Sequence, residues 1–561
     1  MSSDCPCLRT VSAFICFLLI TPLCFVYGNQ VSFAGGHINI RPVITVDEEY
    51  TDNLFLADSE KEEDIVTLIS PGILMEAADR RNSLRFSYNV GYSLYKRFSE
   101  YNAWRHNSLL NASLGILKHS RVQFSNSFVL TEEPEEEIEN REEEDSGTSP
   151  RQEAETETVR RSRDRYYKNS SRISLRHPFG KADFFSLAYT LDILKNEDLT
   201  VRDEIRHRPS FLLSYWLLSE RLGTDFSISY SRNDISDAED NPGYLEEYLN
   251  PSVYVKYWWI PGRLLIQPGL MYEKGLSYDN RQTGDEGIRD EADDNRYESI
   301  RPSLKLFWQI SRHNRAETDV YYNKSITYTD EGLSDPSDDF QNAYASFTLT
   351  RQFSRKLEAF VTYTLSRTEY RGKGGGTDED SEDYTVHEPS LGIRYILAEG
   401  LPLHLRIGYL LRNKEFSGKE SAITLNGDLG TWKFCRYGSV TFRAASGYNE
   451  DHFGAENLGF GFYYNADMKA EYVFSQYLTG NMYGRYLRNR YLDNEEKGGD
   501  TRNDRTWELG CGLTYQSEKW WFMRLDYIYR NVNSTASEDS YEDNRIILKM
   551  GLSPGKGIRI W

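Results

Sequence analysis

The chain has 561 residues, of which 39% are hydrophobic, 27% charged and 14% aromatic, and its formal net charge is −20. A polar chain with so many amphipathic rings fits neither a helical membrane protein nor a disordered one. No stretch of 18 apolar residues follows the leader, which argues against a transmembrane helix in the mature chain. We expect no nucleic acid among its partners.

The first residues have the pattern of a targeting signal. Arg9 precedes the apolar run VSAFICFLLITPLCFV, and small residues permit cleavage after Gly28 or after Ala34. We therefore predict a signal peptide over residues 1–34 and a single domain over residues 35–561. An uncleaved membrane anchor is the weaker alternative, because the run is short and Pro22 interrupts it.

The cysteines exclude two sources of stability. Four of the six lie in the leader, and only Cys435 and Cys511 remain in the rest of the chain. Neither a disulfide framework nor a metal cluster of cysteines is therefore expected. A lipid anchor on Cys24 is also disfavoured, because the preceding Leu23 is bulky where such signals require a small residue.

Long strands with one apolar face recur along the chain. In LRFSYNVGYSLY (84–95) apolar and polar side chains alternate, which is typical of a strand, and twelve residues are about twice the usual soluble length. The same alternation returns in residues 185–192, 226–231, 403–412, 507–515 and 521–529.

The connections between these strands alternate in length. Short turns are expected at HPFGK (177–181), LSERLG (218–223), IPGR (260–263), SRHNR (311–315), QFSRK (352–356), AEGLP (398–402) and QSEKW (516–520). Longer acidic segments lie between them, such as DNRQTGDEGIRDEADDN and GKGGGTDEDSED. About twelve such segments predict about 24 strands, with a range of about 20 to 26.

A closed barrel in a membrane explains this pattern best. A strand that crosses a bilayer at a tilt needs about 9 to 11 residues, and only closure pairs every backbone group. We predict an all-β, transmembrane, antiparallel up-and-down β-barrel with long acidic outer loops and short periplasmic turns. A β-propeller, a soluble sandwich and a solenoid are weaker alternatives, because each period holds two long strands and lacks the Gly-His and Trp-Asp signature. The closing residues GIRIW form either a short appendage or an unusual terminal signal.

One segment resembles a known family. YTDNLFLADSEKEEDIVTLISPGI (50–73) is similar to the first hairpin of an outer-membrane β-barrel family that is grouped with porins. Members are often linked to exopolysaccharide and exosortase (PEP-CTERM) gene clusters. The resemblance implies a porin-like barrel and no catalytic residues.

The inward face is expected to be basic. The alternation places ten cations on it, which would raise the local concentration of anions, against fewer carboxylates such as Asp192, Glu358, Glu508 and Asp526. The alternative is that these cations pair with loop carboxylates that fold inward. The ten candidate lumen-lining residues are Arg85, Arg172, Arg176, Lys305, Arg394, Arg406, Arg412, Arg443, Arg524 and Lys549.

One loop is exceptionally acidic. Residues 131–160 hold thirteen carboxylates in thirty residues, too many for a core of their own, so we expect a disordered, solvated surface loop. Two other roles remain open. The loop could cap the pore by reaching the lumen arginines, or it could bind divalent cations beside lipopolysaccharide.

The chain has no motif for phosphate binding, metal binding or nucleophilic catalysis, so we expect no enzyme and no cofactor. An enzymatic barrel that uses His387, His404 or Glu388 is the weakest alternative. The expected function is an outer-membrane channel for a polysaccharide or an anionic solute. A structural or docking barrel in an exopolysaccharide or surface-sorting assembly is the alternative. Expected partners are outer-membrane lipid and lipopolysaccharide, the barrel-assembly machinery and polysaccharide-export components.

Overall fold

The computed structural model describes most of the chain beyond the predicted signal peptide, which lies outside the described residues together with its cleavage sites. Within this part of the chain, no helix is long and apolar enough to cross a membrane. The described ranges are 37–117, 119–134, 136–138, 157–159, 163–198, 200–218, 221–236, 243–279, 295–328, 339–370, 382–398, 401–415, 418–451, 459–495, 501–517, 520–535, 540–553 and 558–560.

The described residues form 27 strands and one short 3-10 helix, Ser99–Tyr101. The first strands are β1 (His37–Thr51), β2 (Asp64–Ala78), β3 (Ser83–Tyr95), β4 (Ala103–Gly115), β5 (Arg121–Thr131), β6 (Glu136–Ile138), β7 (Glu157–Val159), β8 (Tyr166–Pro178) and β9 (Phe184–Asn196). Next are β10 (Glu204–Leu218), β11 (Leu222–Ile235), β12 (Tyr244–Ile260), β13 (Leu264–Asp279), β14 (Asn295–Gln309), β15 (Asn314–Tyr328), β16 (Phe340–Gln352), β17 (Leu357–Tyr370) and β18 (Tyr384–Ala398). The last are β19 (Leu401–Lys414), β20 (Lys419–Cys435), β21 (Gly438–Asp451), β22 (Gly459–Val473), β23 (Leu478–Glu495), β24 (Thr501–Gln516), β25 (Trp521–Ser534), β26 (Tyr541–Leu552) and β27 (Ile558–Ile560).

These strands close into a barrel of 24. One sheet contains all of them except β6 and β7, and its neighbouring strands pair antiparallel in chain order from β1 to β26. Closure comes from β1, whose residues Ile44–Thr51 pair with Arg545–Leu552 of β26. The short strand β27 pairs with residues 38–40 of β1, so residues 558–560 of the closing segment extend the ladder of β1, while the other two residues of GIRIW lie outside the described residues. The predicted all-β barrel and its strand number are therefore confirmed.

The barrel strands have the length that a strand needs to cross an apolar layer at a tilt. The 24 barrel strands run from 11 residues in β5 to 18 in β23. Their outward positions carry exposed apolar side chains, for example Leu304, Phe347, Leu391 and Leu525. Exposed aromatic rings lie towards both ends of this apolar band, where amphipathic rings favour an interface. They include Trp259, Trp308, Phe353, Phe474 and Trp521 at one end and Trp104, Tyr322, Tyr409, Trp507 and Tyr527 at the other.

The two ends of the barrel differ in their connections. At the end that holds the start of β1, which we call the turn end, the strands are joined by two to five residues. All seven short turns predicted from the sequence lie there, and Gly262 of IPGR adopts the positive φ of 67° that favours glycine. The opposite end, called the loop end, has mostly longer connections. Two connections there are short, with four residues between β19 and β20 and five between β23 and β24, and the sequence did not single out the first.

Candidate functional site

The inward face of the barrel is the candidate site. Strand pairing places side chains that lie opposite each other on the same face, so the exposed apolar positions identify the outward face of each strand. All ten candidate basic residues then fall on the inward face. Their predicted role in binding or selecting a solute remains a prediction.

Carboxylates on the barrel wall accompany most of these cations. The partners lie on the strands themselves, whereas the sequence suggested loop carboxylates that fold inward. The nitrogen-to-oxygen distances are 3.9 Å for Arg85–Glu76, 3.7 Å for Lys305–Asp319, 3.4 Å for Arg394–Glu358, 3.0 Å for Arg406–Glu388, 3.2 Å for Arg412–Glu420, 2.6 Å for Arg524–Asp526 and 2.7 Å for Lys549–Asp47.

The other three candidates have different surroundings. The guanidinium of Arg176 lies 3.9 Å from the ring centroid of Phe184. Arg443 is opposite Asp428 on one side and Asp467 on the other in the strand register. Arg172 lines a cavity described below.

The wall is therefore closer to charge balance than the sequence suggested. The sequence singled out four inward carboxylates, but others such as Asp47, Glu76, Asp319 and Glu388 also face inward. Some are shared by two cations: Glu76 lies 2.5 Å from Arg41 and 3.9 Å from Arg85. The same alternation, applied to β1, β2, β15 and the first half of β18, would have found them.

A cavity of about 670 Å³ opens in the inner wall near the turn end of β1–β5 and β8. It exists because the inward side chains there are small, and the strand backbone forms its floor. These small residues are Ala78, Ser83, Ser113, Ser125 and Ser174. Larger polar groups stand around them: Asn39, Glu76, Arg85, Asn111, Gln123 and Arg172. Hydroxyls, amides and two guanidinium groups thus share one depression.

At the loop end, the connection between β1 and β2 folds over the inner wall. Leu54 is fully buried against Val66 and Tyr95, which both face inward. Leu56, with a positive φ of 51°, is fully buried against Val532 and Tyr541. Residues 52–57 thus cover part of the inner wall at the loop end, held there by contacts that the sequence pattern did not reveal.

The start of the acidic segment also reaches inward. Glu132 is fully buried and accepts hydrogen bonds from Arg105 Nη2 at 2.6 Å, Ser93 Oγ at 2.7 Å and Tyr95 Oη at 2.9 Å. Glu133 forms a second ion pair with Arg105. Arg105 was not among the candidates, because the segment around β4 shows weaker alternation. Of residues 131–160, 136–138 and 157–159 form a small ribbon, β6 with β7, and most of the others lie outside the described residues.

The pKa of Glu132 is below its ordinary value of 4.5. Burial acts to raise this pKa, but the charge of Arg105 and the hydrogen bonds from Arg105, Ser93 and Tyr95 outweigh burial. The carboxylate is therefore ionised at neutral pH, as its role as a shared acceptor for these three side chains requires.

The residues weighed for catalysis lie on two different faces. His387 faces outward, where its Nδ1 is 2.7 Å from the hydroxyl of Tyr363. His404 faces inward and stacks on Phe360 with ring centroids 5.6 Å apart. Glu388 also faces inward and binds Arg406 and Thr424. Within the described ranges, no group of three or more His, Cys, Asp or Glu side chains could hold a metal ion.

The second half of the barrel matches a family model. That model, described as "Putative beta-barrel porin 2", covers residues 306–553, from β14 to the end of β26. The chain forms a porin-like β-barrel. The resemblance noted in the sequence is thereby confirmed, while its link to PEP-CTERM gene clusters stays a prediction.

Solved structures share the fold at low sequence identity. A point mutant of the ferric enterobactin receptor PfeA from Pseudomonas aeruginosa has a TM-score of 0.51 and 10% identity, over 92% of this chain and 80% of the receptor. The open form of the ferric-catecholate import receptor Fiu from E. coli K12 has a TM-score of 0.49 and 8% identity, over 91% and 81%. No curated protein matches the chain. At these identities, the likeness concerns the barrel fold alone.

Proposed function

We propose that this porin-like barrel lies in an outer membrane and conducts a hydrophilic solute of the polysaccharide class. The observation that carries the proposal is the contrast between the two faces of the barrel wall. Outward side chains are exposed and apolar, whereas inward ones are ion pairs, hydroxyls and amides. Such a wall suits acyl chains outside and water with a polar solute inside.

The cavity at the turn end supports a polyhydroxylated solute. Serine hydroxyls and the amides of Asn39, Asn111 and Gln123 can each donate and accept hydrogen bonds with sugar hydroxyls. Arg85 and Arg172 add two guanidinium groups, and the neighbouring Glu76 is already shared with Arg41. The cavity therefore favours an anionic sugar even though the wall as a whole is nearly balanced.

Planar-bilayer recordings of the purified protein test this function. We expect discrete conductance steps with weak anion preference, measured as the reversal potential in a salt gradient. The double variant Arg85→Gln with Arg172→Gln should shift that potential towards cations. The matched control Arg97→Gln, in the β3–β4 loop with a side chain that is 51% exposed, should leave it unchanged.

Two results would count against the proposal. A wild-type barrel that is folded and inserted but never conducts would favour the docking function instead. If the barrel prefers cations and the substitutions of Arg85 and Arg172 leave that preference unchanged, the barrel is a channel but the proposed anionic solute is wrong. The signal peptide over residues 1–34 belongs to the same proposal, and N-terminal sequencing of the membrane-bound protein tests it.

A further inference from the structure

The wall of the barrel parts at one seam, between β20 and β21. These strands pair at the turn end, from Cys435 opposite Gly438 to Gly427 opposite Ala444, with two register shifts on the way. Above Gly427, residues 419–426 pair only with β19, and residues 445–451 pair only with β22. All of these residues lie in the described part of the chain. The loop-end half of the seam is therefore open.

One side chain bridges the start of this opening. Ser446 Oγ accepts a hydrogen bond from the backbone N–H of Leu425 at 2.6 Å and lies 3.3 Å from its carbonyl oxygen. Continuing the register past Gly427 and Ala444 would place Leu425 directly opposite Ser446. A serine hydroxyl thus takes the place of the backbone groups that a continued ladder would supply.

Beyond the opening, the loop ends of β21 and β22 fold into the mouth. We call residues 445–451 and 459–464 the flap. Phe460 and Phe462 of the flap are buried with 0% and 5% exposure. They pack against Tyr384, Val386 and Leu410, which lie on the inward face of β18 and β19.

The sequence of β22 fits a different arrangement. Phe460, Phe462, Tyr464, Met468 and Tyr472 share one parity along the strand, and that parity corresponds to its outward face. Met468 and Tyr472, nearer the turn end, are 47% and 38% exposed there as expected. The two phenylalanines therefore have the pattern of lipid-facing residues but are packed on the inner wall.

A cation holds the flap in its inward position. The guanidinium carbon of Arg412 lies 4.2 Å from the ring centroid of Tyr384 and 4.1 Å from that of Phe460, and the group also pairs with Glu420 at 3.2 Å. A guanidinium between two aromatic faces is a specific but breakable contact. Arg412 thus links the inner wall to the flap.

We propose that the flap is a gate with two states. In the state described above, it packs on the inner wall, narrows the mouth and leaves the seam open. In the other state, residues 445–451 pair with residues 420–426 in the continued register, Phe460 and Phe462 turn outward to lipid, and the mouth widens. Each state satisfies interactions that the other leaves unmade, which is the requirement for a bistable element. The gating role rests on the proposed channel function, whereas the motion itself does not.

A disulfide across the open seam tests the motion. Ile423 and Tyr448 would lie opposite each other only in the completed ladder: at present Ile423 is 66% exposed outside, and Tyr448 stacks on Phe460 inside. In a chain with Cys435→Ser and Cys511→Ser, we expect Ile423→Cys with Tyr448→Cys to cross-link on mild oxidation. A disulfide needs Cα atoms about 4.4 to 6.8 Å apart, so it would trap the paired state.

Two control pairs calibrate the cross-linking. Ile407→Cys with Leu425→Cys joins positions that are already opposite each other across β19 and β20, and it should oxidise at once. Ile423→Cys with Met468→Cys joins positions on strands that do not pair in either state, and it should remain reduced. If the test pair behaves like this second pair in a folded, heat-modifiable barrel, the proposed motion is wrong.

Conductance then tests the gating. Phe460→Ala with Phe462→Ala removes the inward packing, so we expect the fraction of time in the wide state to rise by about tenfold. The trapped disulfide should hold the wide state until reductant is added, and Met468→Ala should change nothing. If the cysteine pair cross-links but the barrel never conducts, the proposed motion stands and the proposed channel function is wrong. If the barrel conducts but neither the disulfide nor the double variant changes its conductance, the flap is not a gate.

Discussion

Two seams of the barrel are fastened in opposite ways. Between β1 and β26 the ladder is continuous up to the loop end and is locked there by side chains. Between β20 and β21 the ladder stops half-way, and one serine hydroxyl spans the parting. The two seams also differ in chain connectivity. A two-residue turn joins β20 to β21 at the turn end, whereas no such turn joins the first and last barrel strands.

The lock of the closing seam consists of the motif Thr51-Asp52-Asn53. Thr51 Oγ1 donates to Asp543 at 2.8 Å, and Asp52 accepts from the backbone and side-chain nitrogens of Asn544 at 2.8 and 2.7 Å. Asn53 donates to the carbonyl of Glu542 at 2.8 Å. The segment that resembled a known family thus has a physical role, since it fastens the two ends of the wall to each other.

The largest effect is expected for the buried ion pair between Arg105 and Glu132, at the same end of the barrel as this lock. Arg105→Met leaves the carboxylate of Glu132 buried without its cation, which should lower the free energy of unfolding by about 3–5 kcal/mol. The measurement is a guanidinium titration of the barrel in lipid vesicles. The control Arg97→Met removes a half-exposed pair with Glu62 and should cost less than about 1 kcal/mol. If Arg105→Met and Arg97→Met lower the free energy of unfolding equally, the buried pair stabilises the barrel no more than the half-exposed pair does.

A smaller loss is expected within the lock itself. Asn53→Ala removes a fully buried amide whose nitrogen and oxygen both bind the backbone of Ala57, and whose nitrogen also binds the carbonyl of Glu542. Leaving those backbone groups unpaired should cost about 2 kcal/mol and lower the temperature at which the barrel loses its compact gel mobility. Asp58→Ala, at an exposed position of the same loop, should leave that temperature unchanged.

The fold could be predicted from the sequence because lipid and water impose a period of two on every strand. Twelve-residue alternation and the two classes of connection were enough for the barrel, its strand number and the faces of all ten basic residues. The partners of those residues were only partly predictable. Pairs such as Lys549–Asp47 join strands at opposite ends of the chain, and their register is set by closure.

The flap shows where alternation misleads. The pattern FGFYYNADM places Phe460 and Phe462 on the lipid side, and strand parity agrees. Their burial depends on the direction in which the loop end of β22 bends, and that direction follows from contacts with β18 and β19. Side-chain period specifies the face of a strand but not the path of its end. For the same reason, the position of residues 52–57 over the inner wall could not be predicted from the sequence.

Acid should weaken the contacts that hold Glu132. Because the pKa of Glu132 is below 4.5 in the folded barrel, its contribution to stability is fully present above pH 4.5 and is lost as the pH falls through the folded value. The guanidinium concentration at the unfolding midpoint of the wild type should therefore decrease as the pH is lowered below 4.5. Glu132→Gln cannot titrate, so its midpoint should depend less on pH there. If the midpoints of the wild type and of Glu132→Gln depend on pH in the same way, a group other than Glu132 is responsible for the acid sensitivity.

The smallest effect is expected at the open seam. Ser446→Ala removes the hydroxyl that binds the backbone of Leu425, and an unpaired donor would normally cost about 1 kcal/mol or more. If the flap can swing, however, the backbone of residue 446 replaces the lost hydroxyl and completes the ladder. We therefore expect a loss below about 0.5 kcal/mol, together with faster oxidation of the Ile423→Cys and Tyr448→Cys pair. A loss as large as that of Asn53→Ala, with no change in oxidation, would mean that this seam is fixed in the parted state and that the two seams differ only in geometry.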